Sequence, residues 1–64
     1  MIITLVQKQL IQLLTKYIKD ETSIIGIMLT IKEEEKQELM IDYIIDNKDN
    51  INKEMILKKM LEIL

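Results

Sequence analysis

The chain of 64 residues has nine basic and eleven acidic side chains, a formal net charge of −2, and 48% hydrophobic residues. It has no cysteine and no histidine, which excludes a disulfide framework and removes both the usual metal ligand and the side chain that shuttles protons near neutral pH. Together with the absence of a P-loop or a glycine-rich dinucleotide motif, this composition predicts a protein that is not an enzyme and has no catalytic residues, no cofactor and no metal site.

The first segment has the pattern of an amphipathic helix. Its apolar residues recur at spacings of three and four along one half of the helical wheel, which predicts a helix over about residues 2–19. Thr4 and Gln7 have the spacing of a capping box, although Met1 to Val6 is also rich in β-branched residues. The opposite face carries basic side chains and no acidic ones. We identify these lysines as a candidate contact for a partner protein or an anionic surface: Lys8, Lys16 and Lys19.

The next segment, Ile24 to Leu29, is continuously apolar and too short to be assigned by periodicity. Its isoleucines favour a strand, but a solitary strand has no partner in the chain. We therefore predict a short buried helix over about residues 21–29, with a strand as the alternative. Residues that favour an N-cap stand at its start: Asp20, Thr22 and Ser23. The only glycine, Gly26, is either incidental or marks a close approach of two backbones.

The central segment carries the clearest start signal. Thr30 and Glu33 have the spacing at which each side chain satisfies a free N–H of the first helical turn, so the sequence predicts a helix over residues 31–46 that begins at Ile31. Its carboxylates form an acidic ridge at helical spacing: Glu35, Glu38, Asp42 and Asp46. Such a ridge can hold a divalent cation only if a second acidic segment faces it. The last helix offers only Glu54 and Glu62, eight residues apart, which favours a solvated face.

The second half of this central helix is apolar on nearly three sides, which is more than the stripe of roughly 100° that one neighbouring element covers. The arc suited to packing within the chain contains four side chains: Leu39, Met40, Tyr43 and Ile44. Ile41 and Ile45 lie beyond that arc. We therefore predict that these two isoleucines lie at a subunit interface.

The polar residues 47–52 predict a loop, and Asn52 is suited to cap a last helix over residues 53–63. Ile51 and Ile56 occupy the two positions of a hydrophobic staple across that cap. The helices over residues 31–46 and 53–63 are therefore expected to form an antiparallel hairpin across this loop.

The four segments together predict one all-α domain, residues 1–64, built as a small bundle of three main helices and a short fourth and completed by oligomerisation. Its predicted core draws on every segment. The core residues are expected to be Val6, Leu10, Leu13, Tyr17, Leu29, Leu39, Met40, Tyr43, Ile44, Ile56, Met60 and Leu61.

The apolar content is large for a chain of this size. A domain this small buries roughly 60% of its unfolded surface, so many of its 31 large apolar residues would remain in water in a monomer. Exposed apolar atoms are common on any protein surface, but self-association is the simplest way to cover so many. We expect a homo-oligomer, with a dimer favoured.

The longest uncharged run, Thr22 to Ile31, has ten residues, about half of the ~20 that a membrane-spanning helix needs. Met1 to Gln7 lacks the basic region and the cleavage site of a signal peptide. The sequence therefore predicts no membrane span and a cytoplasmic location.

These observations favour a small helical protein–protein interaction protein, of the regulatory or adaptor kind encoded by bacterial or mobile-element genomes, that acts as a homo-oligomer. The alternative is a nucleic-acid-binding regulator that uses the lysine face of the first helix. The chain has no arginine for bidentate base reading, and the lysines of the last helix do not form a stripe. Nucleic acid is therefore the less favoured partner.

Overall fold

The computed structural model describes residues 3–64 and contains four helices: α1 (Leu5–Tyr17), α2 (Glu21–Thr30), α3 (Glu34–Asp46) and α4 (Lys53–Ile63). The all-α class and the four-helix composition are confirmed, and no strand occurs between residues 3 and 64. The strand alternative for Ile24 to Leu29 is wrong, because this run lies inside α2. The helix predicted over about residues 2–19 is shorter in the structure, Leu5–Tyr17, and residue 2 lies outside the described residues.

Three of the four helices begin at side-chain caps. The Thr4 hydroxyl accepts a hydrogen bond of 3.1 Å from the Gln7 N–H, and the Gln7 side chain accepts one of 2.9 Å from the Thr4 N–H. In α4, Asn52 accepts a bond of 2.9 Å from the N–H of Met55, and Asp20 caps α2 in a similar way. These caps satisfy N–H groups that have no partner within the helix, as the sequence predicted for Thr4 and Asn52.

The predicted start of the central helix at Ile31 is wrong. Thr30 ends α2, and its hydroxyl donates a hydrogen bond of 2.7 Å back to the carbonyl of Gly26. Ile31 is fully buried, and α3 begins three residues later, after Glu33, whose side chain makes no capping bond. Burial of Ile31 in the core therefore outweighs the local capping signal, since a buried isoleucine contributes more than a typical cap.

The core joins all four helices. α1 contacts both α2 and α3, and α3 contacts α4, to which it is connected by residues 47–52. Side chains from every helix and from both α1–α2 and α2–α3 connections are fully or almost fully buried. They are Leu10, Leu14, Ile18, Ile27, Ile31, Met40, Ile44 and Ile56.

The predicted core is partly correct. Four of its residues are fully buried: Leu10, Met40, Ile44 and Ile56. Five are half-buried: Val6, Leu13, Tyr17, Tyr43 and Met60. Three are exposed, with 64%, 53% and 69% of their surface in water: Leu29, Leu39 and Leu61. For α2 the reason is rotational. Ile27 points into the core, and Leu29, two residues later, is turned by about 200° to the opposite side.

Candidate interaction surface

Several large apolar side chains are exposed to solvent. Eight in residues 3–64 have more than half of their surface in water: Ile3, Leu5, Ile25, Leu29, Leu39, Ile45, Leu61 and Leu64. Single exposed apolar residues are ordinary on a protein surface, whereas contiguous ones mark interaction sites. The grouping of these side chains along the grooves of the fold is therefore what identifies candidate sites.

A groove lined mainly by apolar side chains lies between α1 and α2, and we call it the α1–α2 groove. Its volume is about 420 Å³. It is lined by Ile3, Gln7, Ile11, Ile24, Ile25, Met28, Leu29 and Lys32. Only Gln7 and Lys32 carry polar side-chain atoms, and the Gln7 side-chain oxygen already caps α1. The groove therefore offers an apolar surface with a single cation at its edge.

The glycine of α2, Gly26, is exposed to solvent. A Cβ atom added at Gly26 would meet no heavy atom within 4 Å, and its backbone does not have a positive φ. Neither packing nor backbone conformation within the chain therefore requires glycine here. The suggested close approach of two backbones at Gly26 does not occur within the described chain, and the space beside it is open.

The two isoleucines predicted at the subunit interface lie in a second groove, the α1–α3 cleft, of about 460 Å³. Ile45 is 51% exposed. Ile41 is half-buried and packs against the core, so the premise that it finds no packing partner within the chain is wrong. The remaining lining residues come from α1: Gln9, Gln12, Leu13 and Lys16. The α1–α3 cleft is thus more polar than the α1–α2 groove, and the assignment of Ile41 and Ile45 to an interface stays a prediction.

The three candidate lysines, Lys8, Lys16 and Lys19, are all exposed. The Lys16 ammonium lies 5.5 Å from the ring centroid of Tyr17. None of the three forms a salt bridge with the residues that the structure describes. Lys8 and Lys16 are about 12 Å apart along the axis of α1, and Lys19 follows the helix. The lysines are accessible, and Lys8 lies about two helical turns from the other two.

The acidic ridge of α3 is also exposed along its length, at Glu35, Glu38, Asp42 and Asp46. Between residues 3 and 64, no group of three or more His, Cys, Asp or Glu side chains is arranged to hold a metal ion. Over the same residues, every helix is too short or too polar to cross a lipid bilayer.

The clearest local electrostatic feature is at Asp20. Its carboxylate accepts hydrogen bonds from the Ser23 hydroxyl at 2.8 Å and the Thr22 N–H at 3.0 Å, and the Lys53 ammonium lies 3.4 Å away. The hydroxyl of Ser23 contributes most, and together these groups outweigh desolvation and hold the pKa of Asp20 below its ordinary value of 3.8. Asp20 therefore caps α2 and also links it to the first residue of α4.

The part of the chain that the structure describes is a small four-helix protein with an exposed, largely apolar groove between α1 and α2. Comparisons with protein-family models, curated proteins and solved structures find no match to this chain.

The residues of this groove were absent from the sequence-based site prediction. Ile25 and Leu29 belong to a run of ten residues without charge, and apolar residues fall on every side of that helix. One side of a helix packs against a small bundle and the other remains outside. The absence of charge on every side of α2 is therefore the sequence feature that indicates a second exposed apolar surface.

Proposed function

We propose that this protein is a protein–protein interaction protein, of the regulatory or adaptor kind, that acts as a homo-oligomer through an apolar helical surface. The observation that carries the proposal is the α1–α2 groove, at which Ile25 and Leu29 are more than half exposed. Each large apolar side chain left in water forgoes roughly 1.5–3 kcal/mol of burial. A chain of this size is expected to have a total stability of only a few kcal/mol, so covering such a groove with protein is favoured.

Sedimentation velocity across nanomolar to high-micromolar concentration tests this proposal. We expect a reversible shift from monomer to dimer as the concentration rises. A sedimentation coefficient that stays at the monomer value throughout would contradict the homo-oligomer.

The predicted interface at Ile41 and Ile45 has its own test in the same experiment. If the α1–α3 cleft forms the contact, Ile45→Glu introduces a buried charge into it and abolishes the dimer. Leu61→Glu is the matched control, because it makes the same change at an exposed apolar residue of α4 outside that cleft. A dimer that survives both Ile41→Glu and Ile45→Glu would leave this interface without support.

A nucleic-acid-binding regulator is the second candidate function. The observation that favours it is the set of three exposed lysines, Lys8, Lys16 and Lys19, on and just after a helix without acidic residues. Filter binding at several salt concentrations tests it, because phosphate contacts make affinity fall steeply with salt. Salt-dependent binding that is lost when all three lysines become glutamine, but kept in Lys58→Gln, would place this function first.

A further inference from the structure

We infer that the α1–α2 groove is covered by a second copy of this chain, with the α2 helices of the two copies packed antiparallel across a twofold axis. The inference rests on the proposed function, because it names the partner of that apolar surface. Three properties of this segment lead to it: the absence of charge in residues 22–31, the opposite charges at the two ends of that stretch, and the position of its glycine.

The outer side of α2 is suited to contact with its own copy. In a twofold contact both chains use the same surface patch. A patch with charges of one sign therefore faces charges of the same sign on the other chain, which repel it. Residues 22–31 carry no charge at all. By contrast, Ile45 in the α1–α3 cleft belongs to the helix that carries the exposed acidic ridge. Within this uncharged stretch, self-association through α2 therefore brings no like charges together.

The two ends of the uncharged stretch carry opposite charges. Glu21 is the first residue of α2, and Lys32 follows the helix and lines the groove. Neither forms a salt bridge with another of residues 3–64. In an antiparallel pair, Glu21 of each copy comes beside Lys32 of the other, and the two helix dipoles also oppose each other favourably. A parallel pair would instead place equal charges together.

The same register brings Gly26 to the crossing point. The midpoint between Glu21 and Lys32 falls at residues 26 and 27, and Gly26 is the member of that pair on the exposed side. Because it has no side chain and open space beside it, the two backbones can approach closely there. Ile25 and Leu29, which both lie to one side of Gly26 around the helix, are then placed to enter the groove of the second copy.

The size of this surface sets the expected strength. The groove and the exposed side of α2 comprise about a dozen residues, fewer than the ~20–30 per partner of a standard interface. We therefore expect a reversible dimer with a dissociation constant in the micromolar range rather than a permanent one.

Charge reversal tests the pairing directly. We expect Glu21→Lys and Lys32→Glu to weaken self-association roughly tenfold each at low salt, and the double variant to recover most of the wild-type affinity. Each change also opposes the dipole of α2 within its own chain. If that were the only cause of the weaker association, the losses of the two single variants would add in the double variant. Additive weakening in the double variant would overturn the inference. Sedimentation equilibrium supplies the affinities, and circular dichroism checks that each variant is folded.

Replacement of an apolar residue provides the second arm. We expect Ile25→Glu to abolish the dimer, while Leu61→Glu, a similarly exposed residue outside the groove, leaves it unchanged. A dimer that persists in Ile25→Glu but disappears in Ile45→Glu would overturn the α2 contact and leave self-association standing. A wild-type chain that is monomeric at all concentrations would overturn both.

Discussion

The side-chain amide of Gln37 donates a hydrogen bond of 3.0 Å to the carbonyl oxygen of Ile31. Gln37 lies in α3 with 1% of its surface exposed. The same amide nitrogen lies 3.5 Å from the carbonyl oxygen of Lys32. The last carbonyls of a helix lack partners within it. A buried side chain of α3 thus satisfies the backbone that leaves α2, and this contact holds the connection between the two helices in place.

Replacing Gln37 by glutamate tests the importance of this contact. The carboxylate has no N–H to donate and would be buried opposite a carbonyl oxygen, so we expect the free energy of unfolding at neutral pH to fall by about 1–3 kcal/mol or more. Urea denaturation followed by circular dichroism measures the change. Gln12→Glu makes the same substitution at an exposed position of α1 and should have little effect. Equal stability of both variants would show that the Gln37 amide contributes nothing.

The acid sensitivity of the fold should depend on Asp20. Because its pKa is lowered in the folded protein, the charged carboxylate contributes stability that is complete above its unfolded-state pKa and is lost as the pH falls through the lower, folded-state pKa. We expect Asp20→Asn to reduce the melting temperature at neutral pH and to flatten its decline below about pH 4. Asp42→Asn removes the same charge from an exposed position of α3. If the melting temperatures of the two variants depended on pH in the same way, Asp20 would not have this role in acid sensitivity.

Gly26→Ala should separate stability from association. The added Cβ meets nothing in the chain, and alanine is favoured over glycine inside a helix, so we expect the monomer to gain roughly 0.5–1 kcal/mol. If two α2 helices cross at this residue, the same change should weaken the dimer. Denaturation at low concentration and sedimentation at high concentration measure the two effects. A gain in both would argue against a close crossing at Gly26.

The two sides of α2 should respond differently to truncation. Ile27 is 1% exposed and Leu29 is 64% exposed. Ile27→Ala should therefore cost about 2–5 kcal/mol, enough to unfold much of the population of so small a protein, while Leu29→Ala should leave monomer stability within about 0.5 kcal/mol. Thermal melts of both variants, at protein concentrations too low for the dimer to form, measure the two losses. A larger loss of stability in Leu29→Ala than in Ile27→Ala would contradict the orientation of α2 described above.

Local sequence was sufficient to predict the helices and most of their ends. Thr4 and Asn52 cap the helices that they were predicted to cap, because a cap depends only on residues within one turn. Thr30 has the same signal but is the last residue of α2, because the neighbouring Ile31 is buried against other helices. That burial depends on tertiary contacts, which a short window of sequence does not contain.

The rotation of each helix was harder to predict. In α2 and in the second half of α3 apolar residues surround the helix, so the pattern does not indicate which side faces the core. Leu29 and Leu39 belong to the predicted core but are exposed, whereas Ile27 does not belong to it and is buried. Gln37 is also buried outside the predicted core, for another reason. A polar residue on an amphipathic helix is ordinarily assigned to solvent, and only the carbonyl of Ile31 explains its burial.

The unequal anchoring of the helices has a consequence for how the fold opens. α2 and α4 each contribute one buried residue, Ile27 and Ile56, whereas α1 and α3 contribute two and three. Segments with fewer buried contacts open at lower free energy than the whole molecule. In native-state hydrogen exchange, amides of α2 and α4 should therefore lose protection before those of α1 and α3. If a second copy docks on α2, it binds a segment that fluctuates, and raising the protein concentration should slow exchange in α2 more than in α4.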